Sequence, residues 1–192
     1  MIQPHTSPAA DAHRTLIQRR HRALAPTAAL ALCLVLSGCG GGEETREYAI
    51  PSGLCGTAVT DALRPFFPPG KEISSSEKDG SGMKTCDVAV DDKKIMTTTQ
   101  AWIEGGKTTA YFAAGLTLEE LPHAHDGERF RYSGTEAFGK TRGCVDETYK
   151  QELYAAVQVW DSEHEDADAM KSVILAYTAE VQRSAECAEG AL

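Results

Sequence analysis

Six cysteines in 192 residues constrain what this chain can fold into more than any other feature. Cys33 and Cys39 lie inside and at the end of an N-terminal apolar run, which leaves Cys55, Cys86, Cys144 and Cys187 for the body of the protein. An even number of cysteines behind a secretory-type N-terminus argues for two disulfides rather than free thiols or metal ligands. No C-x-x-C pair occurs, so neither a zinc site nor thiol-exchange chemistry is expected. Four cysteines allow three connectivities. The sequential one, Cys55–Cys86 with Cys144–Cys187, is favoured because it joins an element at each end of the body to its nearest partner. Each bond would close a loop of about 30–45 residues, a stabilisation of roughly 3–4 kcal/mol in the chain-entropy model. That is a large share of the ~5–15 kcal/mol that holds an ordinary domain together.

The N-terminus has the parts of an export signal. Arg14, Arg19, Arg20 and Arg22 supply positive charge, and Ala23 to Leu36 supply the apolar core. The core is shorter than the ~20 residues a comfortable membrane span requires, and no basic stop-transfer flank follows. The residues that close it, Leu36-Ser37-Gly38-Cys39, resemble the lipobox of bacterial lipoproteins. The resemblance implies that Cys39 takes a thioether-linked diacylglycerol, that cleavage falls just before it, and that Cys39 becomes the mature N-terminus. The alternatives weighed are an ordinary secretory signal with a chance cysteine, and a retained helix. Arg19-Arg20 matches a twin-arginine signal poorly, so general secretion is expected. This divides the chain into a signal peptide, residues 1–38, a lipidated cysteine with a polar tether, residues 39–47, and one extracytoplasmic domain, residues 48–192. Gly40, Gly41 and Gly42 suit a flexible tether. They do not suit a phosphate loop, having no strand before them and no helix after.

The whole chain carries 19 basic and 28 acidic residues. Removing the four leader arginines and Asp11 leaves 15 and 27, a formal charge of −12. An acidic domain is repelled by nucleic acid and by anionic headgroups. Nucleic acid is therefore not an expected partner, and the charge serves to keep an exported domain soluble.

Along the body, Pro51 and Gly53 suggest a turn that delivers Cys55. Leu63, Phe66 and Phe67 at helical spacing predict a short helix over 57–67. Lys71 to Lys84 is polar and rich in serine and glycine, and reads as an exposed loop. Cys86, Val88 and Val90 alternate with Asp87, Ala89 and Asp91, predicting a half-buried strand over 85–91 that pairs with a strand over 95–104. Residues 108–121 lean towards helix. Residues 130–138 predict a short strand, and 143–146 with 151–160 predict a hairpin. Both faces of 151–160 are apolar, which marks a central strand. Met170, Val173, Ile174, Tyr177, Val181 and Ala185 form the stripe of an amphipathic terminal helix. Ser162 and Glu165 have capping-box spacing, and Asp166 and Asp168 suit its first turn. The fold expected is α+β, an antiparallel sheet packed by the C-terminal helix and a short N-terminal helix.

Candidate chemistry is sparse. His123 and His125 would share a face in an extended segment and could ligate a metal, with only His164 to complete a triad; a solvated loop is the preferred reading. The acidic run Asp161 to Asp166 with Asp168 lacks the glycine and terminal glutamate of an EF-hand loop, and reads as helix capping. Neither Gly80-Ser81-Gly82 nor Ser133-Gly134 matches a nucleophile elbow. No spacing singles out a glycosidase carboxylate pair. Trp102, Trp160, Tyr111, Tyr132, Tyr149 and Tyr154 are each assigned to the core. No catalytic residue, cofactor or metal is therefore expected.

The lipobox, the segment Tyr48-Ala-Ile-Pro-Ser-Gly-Leu-Cys-Gly-Thr, the alanine-rich signal and the acidic body resemble small actinobacterial surface lipoproteins. The resemblance implies location rather than chemistry, and often an α+β body. The expectation is a non-catalytic module held to the bilayer through Cys39. It would bind an envelope protein or a small ligand. An envelope hydrolase without a recognisable motif is the alternative. A polar cleft with perturbed carboxylates would favour the enzyme, and an apolar groove or exposed aromatic patch would favour binding.

Overall fold

The computed structural model describes residues 45–58, 61–160 and 165–190. The signal peptide, Leu36, Ser37, Gly38 and Cys39, and also Asp161, Ser162 and His164, lie outside the described residues. In chain order the elements are β1 (Gly53–Leu54), β2 (Thr57–Ala58), a 3-10 helix (Asp61–Phe66), β3 (Ile73–Gly80), β4 (Met83–Val90), β5 (Lys93–Glu104) and α1 (Thr109–Ala114). They continue with β6 (His123–His125), β7 (Phe130–Tyr132), β8 (Glu136–Asp146), β9 (Gln151–Val159), α2 (Ala167–Val181) and α3 (Ala185–Glu189). Strands β3 to β9 form one antiparallel sheet in the order β3-β4-β5-β9-β8-β7-β6. The architecture is the expected α+β, and β9 is the central strand.

Alternation decides the faces. Cys86, Val88 and Val90 of β4, Leu153, Ala155, Val157 and Val159 of β9, and Phe130 and Tyr132 of β7 are buried beneath α2 in the larger core. Met170, Val173, Ile174, Tyr177 and Val181 of α2 fill it from the other side, each nearly or fully excluded from water. Asp166 caps α2 with its carboxylate, accepting from the amides of Asp168 and Ala169. The helix ends at Gln182, so Ala185 opens α3 instead of continuing the stripe. At Gly139 of β8 a side chain would meet Thr178 Oγ1 at 2.7 Å and the Phe130 ring at 2.8 Å. Glycine there lets α2 lie close to the sheet. The opposite face carries a smaller cluster, Ala101, Tyr154, Ala156 and Phe138 under Phe112 and Ala113 of α1.

The disulfides are Cys55–Cys86 and Cys144–Cys187, the sequential pairing. The first fastens the turn between β1 and β2 to β4, and the second fastens α3 to β8. Several sequence expectations change. The strand over 130–138 is β7 and the start of β8, with 133–135 between them outside any strand. The helix over 57–67 is β2 followed by a 3-10 helix. Pro65 lies inside that helix, and proline can neither donate a backbone hydrogen bond nor fit a regular helix interior. Leu63, Phe66 and Phe67 are buried all the same. The loop over 71–84 is β3 with a tight turn at Ser81-Gly82, both residues at positive φ as two-residue hairpins require. Strand β3 is an edge strand with every residue from Ser74 to Gly80 exposed, so it has no apolar period to betray it. The helical lean over 108–121 contracts to α1, capped by Thr108 and ended at Gly115.

Arg46 and Glu47, counted with the tether on sequence, are bonded to the body. Arg46 donates to Phe67 O, the Glu47 amide to Gly70 O at 2.8 Å, and Tyr48 Oη to Pro68 O at 2.6 Å.

Candidate functional site

On the α1 side of the sheet the helix covers only part of the strands. Beside it lies an open groove of about 380 Å³, lined by Met83, Ile103, Tyr111, Phe112, Ala114, Gly115 and Leu116. Strand alternation places Met83 and Ile103 on this face, on the side away from α2. Helix α1 supplies Phe112, whose ring meets Phe138 edge-on at 5.8 Å and Tyr154 at 5.3 Å. Those contacts hold α1 down and leave Tyr111 pointing out, 58% exposed. Lys107 lies 5.0 Å from the Tyr111 ring centre and pairs with Glu104 at 3.0 Å, making one charged rim. Leu118, beyond the end of α1, is 73% exposed.

Two polar networks set the walls. In the first, buried Glu136 accepts from Thr117 Oγ1, from the Leu118 amide at 3.3 Å and from Gln158 Nε2 at 2.7 Å. Gln158 Nε2 also donates to Leu116 O at 3.1 Å, so the segment 116–118 is drawn onto the sheet. In the second, Glu152 accepts from Lys140 Nζ at 2.6 Å and from the Gly106 amide at 2.8 Å. Tyr154 Oη donates to Lys107 O at 2.5 Å. Burial opposes ionisation of Glu152, but the Lys140 ammonium and the Gly106 amide outweigh it and hold the carboxyl below its ordinary range. Burial raises the Tyr154 phenol. These bonds fix the approach to α1.

The residues singled out on sequence are dispersed. His123 and His125 lie on the exposed edge strand β6, not in a loop. They stack on Tyr132 at 5.3 Å and Phe130 at 6.3 Å. Among the described residues no group of three or more histidine, cysteine, aspartate or glutamate side chains could hold a metal ion. Ser81 forms a hairpin turn. Ser133 Oγ donates to Glu119 and accepts from the amides of Thr135 and Glu136, so it is committed to its own turn. Trp102, Tyr132 and Tyr154 are buried and Trp160 is half-buried. Tyr111 and Tyr149 are not core residues, because α1 and the turn before β9 each present one ring to water. The groove itself has no signal in the sequence. Its residues come from two strands, a helix and a loop, and each alone looks like an ordinary core residue.

No family model, no characterised protein and no solved structure matches this chain. Among the described residues no helix is long and apolar enough to cross a membrane.

Proposed function

We propose that the protein is an extracytoplasmic lipoprotein, held to the cell membrane by an acylated Cys39, whose domain binds a partner protein or small ligand through the apolar groove beside α1. The groove is the observation that carries the binding reading. A mostly apolar concavity with a few placed polar groups is the usual form of a ligand site, and Tyr111 offers a ring with a polar tip for contact. The lipobox residues Leu36 to Cys39 support the anchor, and the two disulfides suit an oxidising compartment. The anchor is tested by Cys39→Ala in a lipoprotein-processing host. The variant should appear in the medium or stay as an unprocessed precursor. Mature Cys39→Ala protein that remains with the membrane would refute the anchor. The groove is tested by Tyr111→Ala, which should reduce retention of whatever co-purifies with the wild-type protein from cross-linked membranes. An unchanged set of cross-linked species would move binding elsewhere.

A further inference from the structure

The sheet ends at β3, an eight-residue strand whose whole length pairs with β4 without a bulge. Among the described residues no strand lies on its outer side. Natural edge strands are guarded by shortness, proline, bulges or charge. Strand β3 has charge only in its second half, at Glu77, Lys78 and Asp79; Ser74, Ser75 and Ser76 leave the first half open.

We propose that β3 is a self-association edge: two copies of this chain join antiparallel through β3, about a twofold axis at Ser76, into one continuous sheet. The register follows from parity and charge. Opposed residues in an antiparallel pair must share a face, so with a twofold axis normal to the sheet the axis passes through a residue rather than between two. An axis at Glu77 opposes Glu77 to itself. An axis at Lys78 opposes Lys78 to itself and Glu77 to Asp79. An axis at Ser75 shortens the overlap to Ile73–Glu77. The axis at Ser76 aligns Ile73 with Asp79, Ser74 with Lys78 and Ser75 with Glu77, and opposes no like charges. It is the longest overlap that does so. The association does not depend on the lipid anchor, although tethering in a membrane would raise the local concentration of copies.

The test uses the full chain in membranes of the producing cell. Ser76→Cys places a thiol at the axis, and mild oxidation should yield a dimer on a non-reducing gel. Ser74→Cys, on the same face and edge but aligned with Lys78 of the second copy, should yield little. Two charge variants without added cysteine test the register independently, by sedimentation equilibrium of the detergent-solubilised protein. Ser75→Lys faces Glu77 of the second copy twice, and should tighten association about three- to tenfold. Ser74→Lys faces Lys78 twice, and should weaken it by a similar factor. Both add one positive charge, so a general effect of net charge would move them together. That result would overturn the proposal, as would a monomer in every sample, cross-linking at 74 in place of 76, or capture of a different protein by the thiol of the Ser76→Cys variant.

Discussion

Glu152 shows how single residues hold the groove in shape. It joins β9 to β8 through Lys140 and to the turn before α1 through the Gly106 amide. Its carboxyl is held below the ordinary range. The stabilisation it brings is therefore complete above the unfolded glutamate value, about 4.3. It fades as the pH falls through the lower folded value. Glu152→Gln should lower stability at neutral pH by on the order of 1 kcal/mol or less, since water screens a partly exposed pair. It should also flatten the acid limb of the stability curve. Denaturant midpoints across the acid range measure both, and an acid limb as steep as that of the wild type would remove Glu152 from this role. Such pairings are hidden from the sequence. Nothing near Lys140 or Glu152 in the chain marks them as partners; the register of β8 against β9 sets Lys140 opposite Tyr154, which puts Glu152, two residues along β9 on the same face, within reach.

At the scale of elements, α2 is the main clamp on the sheet. Ile174 is fully buried, and truncating such a side chain costs about 2–5 kcal/mol. Ile174→Ala should shift the chemical denaturation midpoint accordingly. An unchanged midpoint would mean that the stripe is not packed as described. Helix α3 is held differently. None of its residues is buried, and its ties are the Cys144–Cys187 bond and Glu186, which accepts from Trp102 Nε1 at 2.8 Å and faces Lys84 at 3.3 Å. Replacing Cys144 and Cys187 together by alanine should release α3 and expose Trp102 while the sheet persists. Fluorescence in a Trp160→Phe background should then shift to longer wavelength with the far-ultraviolet dichroism of the strands retained. An unmoved spectrum would show that Glu186 alone holds α3. The elements that can be read from sequence are those with at least one buried face. Strand β4 shows a period of two, β9 is apolar on both sides, and α2 carries its stripe because each packs on a core. Strand β3 cannot be read in this way. Its order comes from the backbone ladder to β4 and a turn at Ser81-Gly82, and its exposed serines look like a loop. The 3-10 helix is misjudged for a related reason. Leu63, Phe66 and Phe67 have helical spacing, but Pro65, lying among them, does not fit the interior of a regular α-helix.

For the whole molecule, two covalent loops and one seven-stranded sheet place an apolar groove on the face that α2 does not cover. The cysteine count anticipates the loops, because an even set behind an N-terminus of export-signal type has few other uses. The groove is not anticipated, because it exists only where β4, β5 and α1 meet. The proposed reading is of a body of formal charge −12, held to the membrane through Cys39, that presents the groove on the face away from α2. Its central claim is that Cys39 anchors an oxidised domain outside the cytoplasm. Peptide mass mapping under non-reducing conditions, on protein recovered from membranes, tests that claim most directly. The account predicts an N-terminal peptide beginning at diacylglyceryl-modified Cys39, with Cys55 joined to Cys86 and Cys144 joined to Cys187. An unmodified Cys39 within a chain that retains residues 1–38, or free thiols at the other four positions, would contradict it.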